Sequence, residues 1–136
     1  MVETFNILLS PKQRGFHLIT GELMAQMPHL PKNGVLVLLI KHTSAGLSLG
    51  ENADPYVRED LSSFFDNMVP DGTPYFTHED EGEDDMPAHV KNVVVGANLT
   101  IPIRNGKLDL GIWQGIYLCE FRNDGGARSL SVAVIS

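Results

Sequence analysis

The residues best suited to chemistry lie in the segment HTSAGLSLGENADP (residues 42–55), directly after the apolar run VLVLLI (residues 35–40). A chain that only reverses direction after a strand needs glycine, asparagine, aspartate or proline at the turn. This segment also carries His42, Ser44 and two carboxylates. Because loops at the ends of buried strands often carry functional residues, the segment is either one wall of a pocket or only a polar loop.

The tail of this segment has a second, purely structural interpretation. Asp54 followed by Pro55 is a favourable helix start, with an acidic cap and then a proline where its missing N–H costs nothing. A helix of about ten residues would place four apolar side chains on one face. These side chains are Val57, Leu61, Phe64 and Phe65. Asp54 therefore has a helix-capping interpretation that requires no function.

Histidines near carboxylates suggest a metal site. His42, His78 and His89 together would suit a divalent transition metal, because neutral imidazole is a good ligand for such ions. Their spacing matches no short metal motif such as H-E-x-x-H, so the alternative that they never meet stays open. His17 lies in an apolar stretch and His29 between two prolines, which favours packing and surface roles respectively.

The acidity of the chain comes from one segment, EDEGEDD (residues 79–85). The whole chain has a net charge of 10 − 17 = −7, and without these six acids it would be 10 − 11 = −1. The run does not match a calcium-binding loop. It is therefore either a solvated loop or a carboxylate source for magnesium held jointly with substrate phosphates.

Composition excludes several classes of function. The chain has no basic stripe, which disfavours nucleic acid and anionic membrane surfaces as partners. No segment approaches the ~20 apolar residues of a membrane span, and the start MVETFNILLS has no basic region of a signal peptide. Cys119 is the single cysteine, so no internal disulfide can form. These features fit a cytoplasmic protein.

The sequence predicts a mixture of strands and helices in the first two thirds of the chain. Strands are expected at residues 2–9 and 34–40, and a short helix capped by Thr20 between them. A second helix follows Asp54, and a polar, turn-rich segment follows at residues 69–85. A further helix should start near Asp85 or Met86, bury Val90, Val93 and Val94, and end at Gly96.

The last third reads as β-structure. LTIPI, Asn105-Gly106 and KLDLGIW form a strong hairpin signal, followed by the strands GIYLCEF and SLSVAVI. We therefore predict a single α+β domain over residues 1–136, with mostly antiparallel strands and two or three helices.

Basic and aromatic residues add weaker candidates. Lys91 and Arg128 would neutralise a phosphate or carboxylate, or act only as surface charges. Trp113, flanked by glycines, suggests a sheet edge used by a second subunit. A Ser–His hydrolase built on Ser44 and His42 is disfavoured, because GLSLG lacks the spacing of the G-x-S-x-G nucleophile elbow.

Three motifs resemble the YjbQ-like family, also called secondary thiamine-phosphate synthases: HTSAGLSLGENADPYVRED, EGEDDMPAHVKNVVVGANLTIPI and NGKLDLGIWQGIYLCEF. They occur in the family's order, and the resemblance runs from RGFHLIT (residues 14–20) to the last strand. The sequence departs from the family pattern at Ile112 in the usual Gly-Thr-Trp-Gln, at Asn98 and at Gly50.

The resemblance implies a β-sandwich assembled as a homotrimer, with pockets near the subunit interfaces. It also implies a thiamine-phosphate synthase-like transferase that joins hydroxymethylpyrimidine diphosphate to thiazole phosphate and releases diphosphate. A divalent metal, magnesium or zinc, would assist. The expected metal ligands are His42, His78 and His89. The expected catalytic residues are His42, His89 and Asp54, where Asp54 either orients His42 or only caps its helix. The residues expected to contact substrate are Ser44, Asn52, Lys91, Gln114 and Arg128.

Two other functions stay open beside this one. A non-catalytic trimer could bind a small anionic metabolite, or His42 and His89 could hold an activated water in a metal-dependent phosphohydrolase.

Overall fold

The computed structural model describes residues 1–136 and contains two antiparallel sheets and three helices. The strands are β1 Val2–Leu9, β2 Gly15–Leu18, β3 Asn33–Ile40, β4 Ala45–Glu51, β5 Asn98–Arg104, β6 Lys107–Leu108, β7 Gln114–Glu120 and β8 Arg128–Ile135. The helices are α1 Thr20–Gln26, α2 Pro55–Met68 and α3 Asp85–Val95. The predicted α+β fold with mostly antiparallel strands is confirmed.

The larger sheet has the strand order β1-β8-β3-β5-β6, and the smaller has the order β2-β7-β4. The last strand, β8, therefore lies between β1 and β3. Val132 of β8 pairs with Phe5 of β1 on one side and with Leu38 of β3 on the other. In the smaller sheet β7 is central, and it pairs with β2 and β4 on its two sides.

The main hydrophobic core fills the space between the two sheets. Alternating side chains of β3 and β8 point into it, as expected for strands with one buried face. On the opposite side it is closed by β4, β7 and α1. Its members include Leu36, Leu38, Ile40, Leu47, Ile101, Ile116, Leu118, Leu130 and Val132.

A second core lies on the outer face of the smaller sheet, where α2 and α3 pack. Tyr117 and Cys119 of β7 point into it and meet Phe16, Ala88 and Phe121. Strand β7 is thus buried on both faces, since its alternate residues belong to the main core. The result is three layers: the larger sheet, the smaller sheet and a pair of helices.

Helix α2 begins as the sequence predicts. The Asp54 carboxylate accepts a 2.9 Å hydrogen bond from the Tyr56 N–H, and Pro55 occupies the first helical turn. The helix extends over 14 residues, longer than expected. Phe64 is 61% exposed and does not join the buried face, where Leu61 and Phe65 contact the second core.

Helix α3 begins at Asp85 and ends at Gly96, whose φ of 102° favours glycine. The prediction that valines form the buried face of α3 is wrong, because Val93 and Val94 are largely exposed. The helix instead buries a face that includes fully enclosed Lys91, because that ammonium reaches a carboxylate on α2.

Of the remaining local predictions, the helix cap at Thr20 is wrong and the hairpin at Asn105-Gly106 is confirmed. Thr20 is the first residue of α1 and does not cap it; its hydroxyl accepts a 2.9 Å hydrogen bond from the Ile116 N–H. The predicted hairpin is present, with positive φ at Asn105 (52°) and Gly106 (77°) joining β5 to β6. None of the helices has the length and hydropathy required to cross a bilayer.

Candidate metal centre

Four potential ligand side chains converge where the acidic loop enters α3. One atom each from His78, Glu81, Asp85 and His89 lies within 4.8 Å of the others. The sequence places two of them on the helix at i and i+4, which puts both on one face. The other two lie on the preceding loop, which turns back over the first turn of α3.

Asp85 is the centre of this cluster and is only 1% exposed. Its Oδ2 lies 2.6 Å from His78 Nε2 and 3.1 Å from His89 Nε2, and its Oδ1 accepts a 2.5 Å hydrogen bond from Arg122. Burial acts to raise the pKa of Asp85, but the hydrogen bond with His78 and the neighbouring positive charges outweigh it. The pKa therefore lies below its usual value, and the group is an anion at neutral pH.

His89 is oriented by a backbone carbonyl. Its Nδ1 lies 2.7 Å from the Thr43 carbonyl oxygen, which accepts only, so Nδ1 carries a proton. Metal-binding histidines commonly donate their second ring N–H to such a group, which fixes the tautomer. In neutral His89 the Nε2 lone pair faces the Asp85 carboxylate, and only a cation or an additional proton between them makes the contact favourable.

The donor set fits a divalent cation, and two imidazoles favour a transition metal such as zinc over magnesium. Glu81 and Asp85 would balance the two charges of the ion. Glu81 is the least committed donor, since its Oε2 lies 3.8 Å from His78 Nε2.

Arg122 holds the loop and the helix start together. Its guanidinium donates to Asp84 (3.0 Å), to Asp85 and to the Glu81 carbonyl oxygen (2.9 Å). Asp84 also accepts a 2.9 Å bond from the Asn123 N–H. The cluster is therefore supported by a network that binds the acidic loop to the end of β7.

One side of the cluster is open. The side chains of His78 and Glu81 are 46% and 64% exposed, whereas that of Asp85 is 2% exposed. A cavity of about 300 Å³ adjoins His78 and is lined also by Phe76, Glu79 and Met86. A small molecule could reach an ion in this cluster from the cavity side.

The structure does not bring His42 into the cluster. The His42 Nε2 accepts a 2.8 Å hydrogen bond from the Ser129 N–H, and burial together with the Arg128 charge holds the pKa of His42 below its usual value. The imidazole is therefore neutral and joins the end of β3 to β8. The predicted site of three histidines therefore contains only His78 and His89, and Glu81 and Asp85 complete the cluster.

Both cations predicted to bind substrate are committed to buried or half-buried carboxylates. Arg128 donates to both oxygens of Glu120, at 2.7 Å and 2.5 Å. The Lys91 ammonium is fully buried and lies 2.8 Å from Asp66 Oδ1. Ser44 only offers its carbonyl oxygen to Arg128, at 3.4 Å. Neither cation therefore presents an uncommitted positive charge to a ligand.

The other predicted substrate contacts lie away from the cluster and stabilise loops. Asn52 donates to the carbonyl oxygens of Ile112 and Gln114, both at 3.1 Å. The Gln114 side chain accepts from the Gly111 N–H at 2.8 Å. Asp54 caps α2, and its carboxylate has no hydrogen bond to His42, whose Nε2 is bonded to the Ser129 N–H.

Two of the four cluster residues, His78 and His89, are among the predicted metal ligands. Glu81 and Asp85 lie in the acidic run that is one possible carboxylate source for magnesium, but neither is predicted individually as a ligand. The missed signal was the i, i+4 spacing of Asp85 and His89 at a predicted helix start. The role of Arg122 could not be predicted from sequence spacing, because its partners in the acidic loop lie 37 to 41 positions away along the chain.

The fold and the cluster define an α+β sandwich protein with a candidate cation centre at the start of a helix. The family model described as "UPF0047 protein YjbQ-like" matches residues 5–136. The chain belongs to this family.

Among its relatives, the UPF0047 protein YjbQ of Salmonella typhimurium is 51% identical over 126 residues, covering 91% of each chain. The protein of the same name from Escherichia coli O157:H7 is 47% identical with the same coverage. The crystal structure of the conserved hypothetical protein TT1486 from Thermus thermophilus has a TM-score of 0.82 at 32% identity. That match covers 94% of this chain and 97% of the other.

Proposed function

We propose that this protein is a divalent-metal-dependent enzyme acting on small phosphorylated molecules. The convergence of His78, Glu81, Asp85 and His89, with the His89 tautomer fixed by a backbone carbonyl, carries the proposal. The specific reaction follows from the family resemblance: a transferase that forms thiamine phosphate. In that reaction the thiazole nitrogen attacks the pyrimidine methylene, the carbon–oxygen bond to diphosphate breaks, and diphosphate leaves with the bonding electrons.

The charges around the cluster define what the residues would do. A bound divalent ion would neutralise the negative charge of the departing diphosphate. Asp85, held by Arg122, would remain an anionic ligand throughout the reaction. The exposed side chain of His78 lies at the cavity, where it would contact the phosphorylated group. Glu79 and Glu83, which also line the cavity, disfavour phosphate binding until a cation is present.

The open side of the cluster supports a second candidate, a metal-dependent phosphohydrolase. Water has access to the exposed sides of His78 and Glu81, and an ion that binds water lowers the pKa of that water. A transferase must exclude water from the reacting carbon. Faster hydrolysis of a simple phosphoester than formation of thiamine phosphate would favour this second candidate.

Assembly as a homotrimer is part of the proposal. The side chains of Ile112 and Trp113 are 81% and 63% exposed on the loop before β7. Large apolar side chains that project in this way are typical of subunit contacts. Another copy of the chain could cover them and enclose a neighbouring pocket. A cytoplasmic location is also proposed, since the only thiol is buried and unpaired.

The first experiment is elemental analysis of the purified protein by mass spectrometry. We expect near-stoichiometric transition metal in the wild type and loss of that metal in His89→Ala and Asp85→Asn. His29→Ala, which alters a histidine outside the cluster, is the matched control and should retain it. Metal-loaded wild type should then release diphosphate from the two substrates.

Two results would contradict the proposal. Wild-type protein that binds no metal after incubation with zinc, manganese or magnesium would remove the metal centre. If metal binds but neither diphosphate release nor phosphoester hydrolysis is detected, a non-catalytic role in binding an anionic metabolite becomes the better explanation.

A further inference from the structure

Only two buried side-chain nitrogen or oxygen atoms in the chain have no hydrogen-bond partner, and both belong to guanidinium groups: Arg14 Nε and Arg58 Nη1. Both arginines line the same cavity, of about 260 Å³, between β2 and the start of α2. A buried donor without a partner costs about 1–3 kcal/mol. Two such donors beside one cavity mark a place where a ligand or an ordered water supplies the missing acceptors.

The two arginines contribute differently. Arg14 commits its terminal nitrogens to carboxylates, donating to Asp71 at 2.7 Å and to Asp66 at 2.9 Å, and only its enclosed Nε has no partner. Arg58 takes part in none of the salt bridges of the chain. No carboxylate therefore neutralises its positive charge, and a planar guanidinium suits a carboxylate or phosphate.

The other walls of this cavity allow an anion to enter. Ser62 offers a hydroxyl and His17 an imidazole, whose Nε2 is already bonded to the Gln13 carbonyl oxygen at 2.6 Å. Glu59 is the one carboxylate in the lining. Glu59 is exposed, so solvent and salt screen its charge.

An apolar cavity adjoins the arginines. It measures about 440 Å³, shares Phe16 with the first cavity, and is lined mainly by apolar side chains that include Val57, Leu61, Phe65 and Tyr117. Its one carboxylate, Glu51, accepts a 2.9 Å hydrogen bond from the Asp54 N–H. Arg58 lies close enough to Tyr117 for its charge to act on the phenol. Cavities of ~300–1,000 Å³ with apolar walls and a few polar groups are typical of small-molecule sites.

We propose that these adjoining cavities bind a small organic anion, with its carboxylate or phosphate on Arg58 and Arg14 and its apolar body against Phe16, Phe65 and Tyr117. The site is independent of the candidate metal centre, since the two share no residue. It also differs from the substrate contacts expected from sequence.

Isothermal titration calorimetry with EDTA-treated protein tests the proposal, using phenyl phosphate, benzoate and inorganic phosphate as probes. Phenyl phosphate or benzoate should bind, and which one binds more tightly identifies the anionic group. Inorganic phosphate should bind more weakly than phenyl phosphate, since it leaves the apolar cavity empty. Arg58→Met should weaken binding about 10- to 100-fold, the loss of one charge-assisted interaction.

Arg104→Met is the matched control, because Arg104 is an exposed arginine whose partner is Asp109 on the surface. It should bind the probes as the wild type does. The melting temperature of Arg58→Met should equal or exceed that of the wild type, since the change removes a buried group without a partner. The proposal fails if Arg58→Met binds like Arg104→Met, if it is clearly destabilised, or if no organic anion binds more tightly than inorganic phosphate.

Discussion

Replacement of Arg128 by methionine should destabilise the protein strongly, even though sequence analysis placed Arg128 among substrate contacts. Its guanidinium donates to both carboxylate oxygens of Glu120, at 2.7 Å and 2.5 Å. The side chains of Arg128 and Glu120 are 5% and 0% exposed. Methionine fills much of the same volume and removes the charge, so the variant isolates the ion pair from the packing.

The size of the loss in unfolding free energy depends on the hydrogen bonds that Glu120 keeps in the variant. Removal of one partner of a buried pair costs ~3–5 kcal/mol, because the remaining charge is uncompensated. Glu120 keeps one weak bond, from the Arg122 N–H at 3.2 Å, which places the expected loss near the lower value. For a domain of this size that corresponds to a fall in melting temperature of roughly 10 °C.

Urea denaturation followed by circular dichroism measures this loss. The double variant Glu120→Leu/Arg128→Met should be more stable than Arg128→Met, because it leaves no buried charge. Arg104→Met, which breaks an exposed pair, should change the free energy of unfolding by less than about 1 kcal/mol. A loss below about 1 kcal/mol in Arg128→Met, or a double variant less stable than the single one, would refute the reasoning.

Three further outcomes follow from other contacts. Asp54→Ala should lower the free energy of unfolding by about 1 kcal/mol in urea denaturation, since it removes the cap of α2. Burial raises the pKa of Cys119 to about 12, so the thiol should not react with Ellman's reagent at pH 8 until urea unfolds the protein. Burial acts to raise the pKa of Asp84, but the Asn123 N–H and Arg122 lower it more, so the folded pKa lies below its ordinary value. The resulting stabilisation is present above the unfolded pKa and lost as pH falls through the folded pKa, and Asp84→Asn should show a shallower acid loss in pH-dependent denaturation.

Much of the fold could be predicted because local chemistry and tertiary structure agree. The alternation in the last strand, the Asn105-Gly106 turn and the Asp54 cap each act within a few residues. Their local preferences are the ones the folded protein uses. For the same reason the boundaries of α3 at Asp85 and Gly96 followed from sequence.

The errors arise where a distant contact overrides local preference. Three valines predicted the buried face of α3, but Asp66 on α2 makes it favourable to bury Lys91 instead. His42 looked like a ligand because it follows a buried strand, and only the pairing with β8 reveals that Ser129 uses its Nε2. Arg122 lies far along the chain from the loop that it holds, so no spacing rule would find it.

The central position of β8 in the larger sheet has a consequence for synthesis. The ribosome releases β8 after β1 and β3, yet those strands pair with it and not with each other. Until β8 arrives, β1 has no partner and one edge of β3 is unpaired, and exposed edges of this kind promote aggregation. The nascent chain should therefore depend on chaperones, or on rapid completion, more than a protein of this size with sequential hairpins.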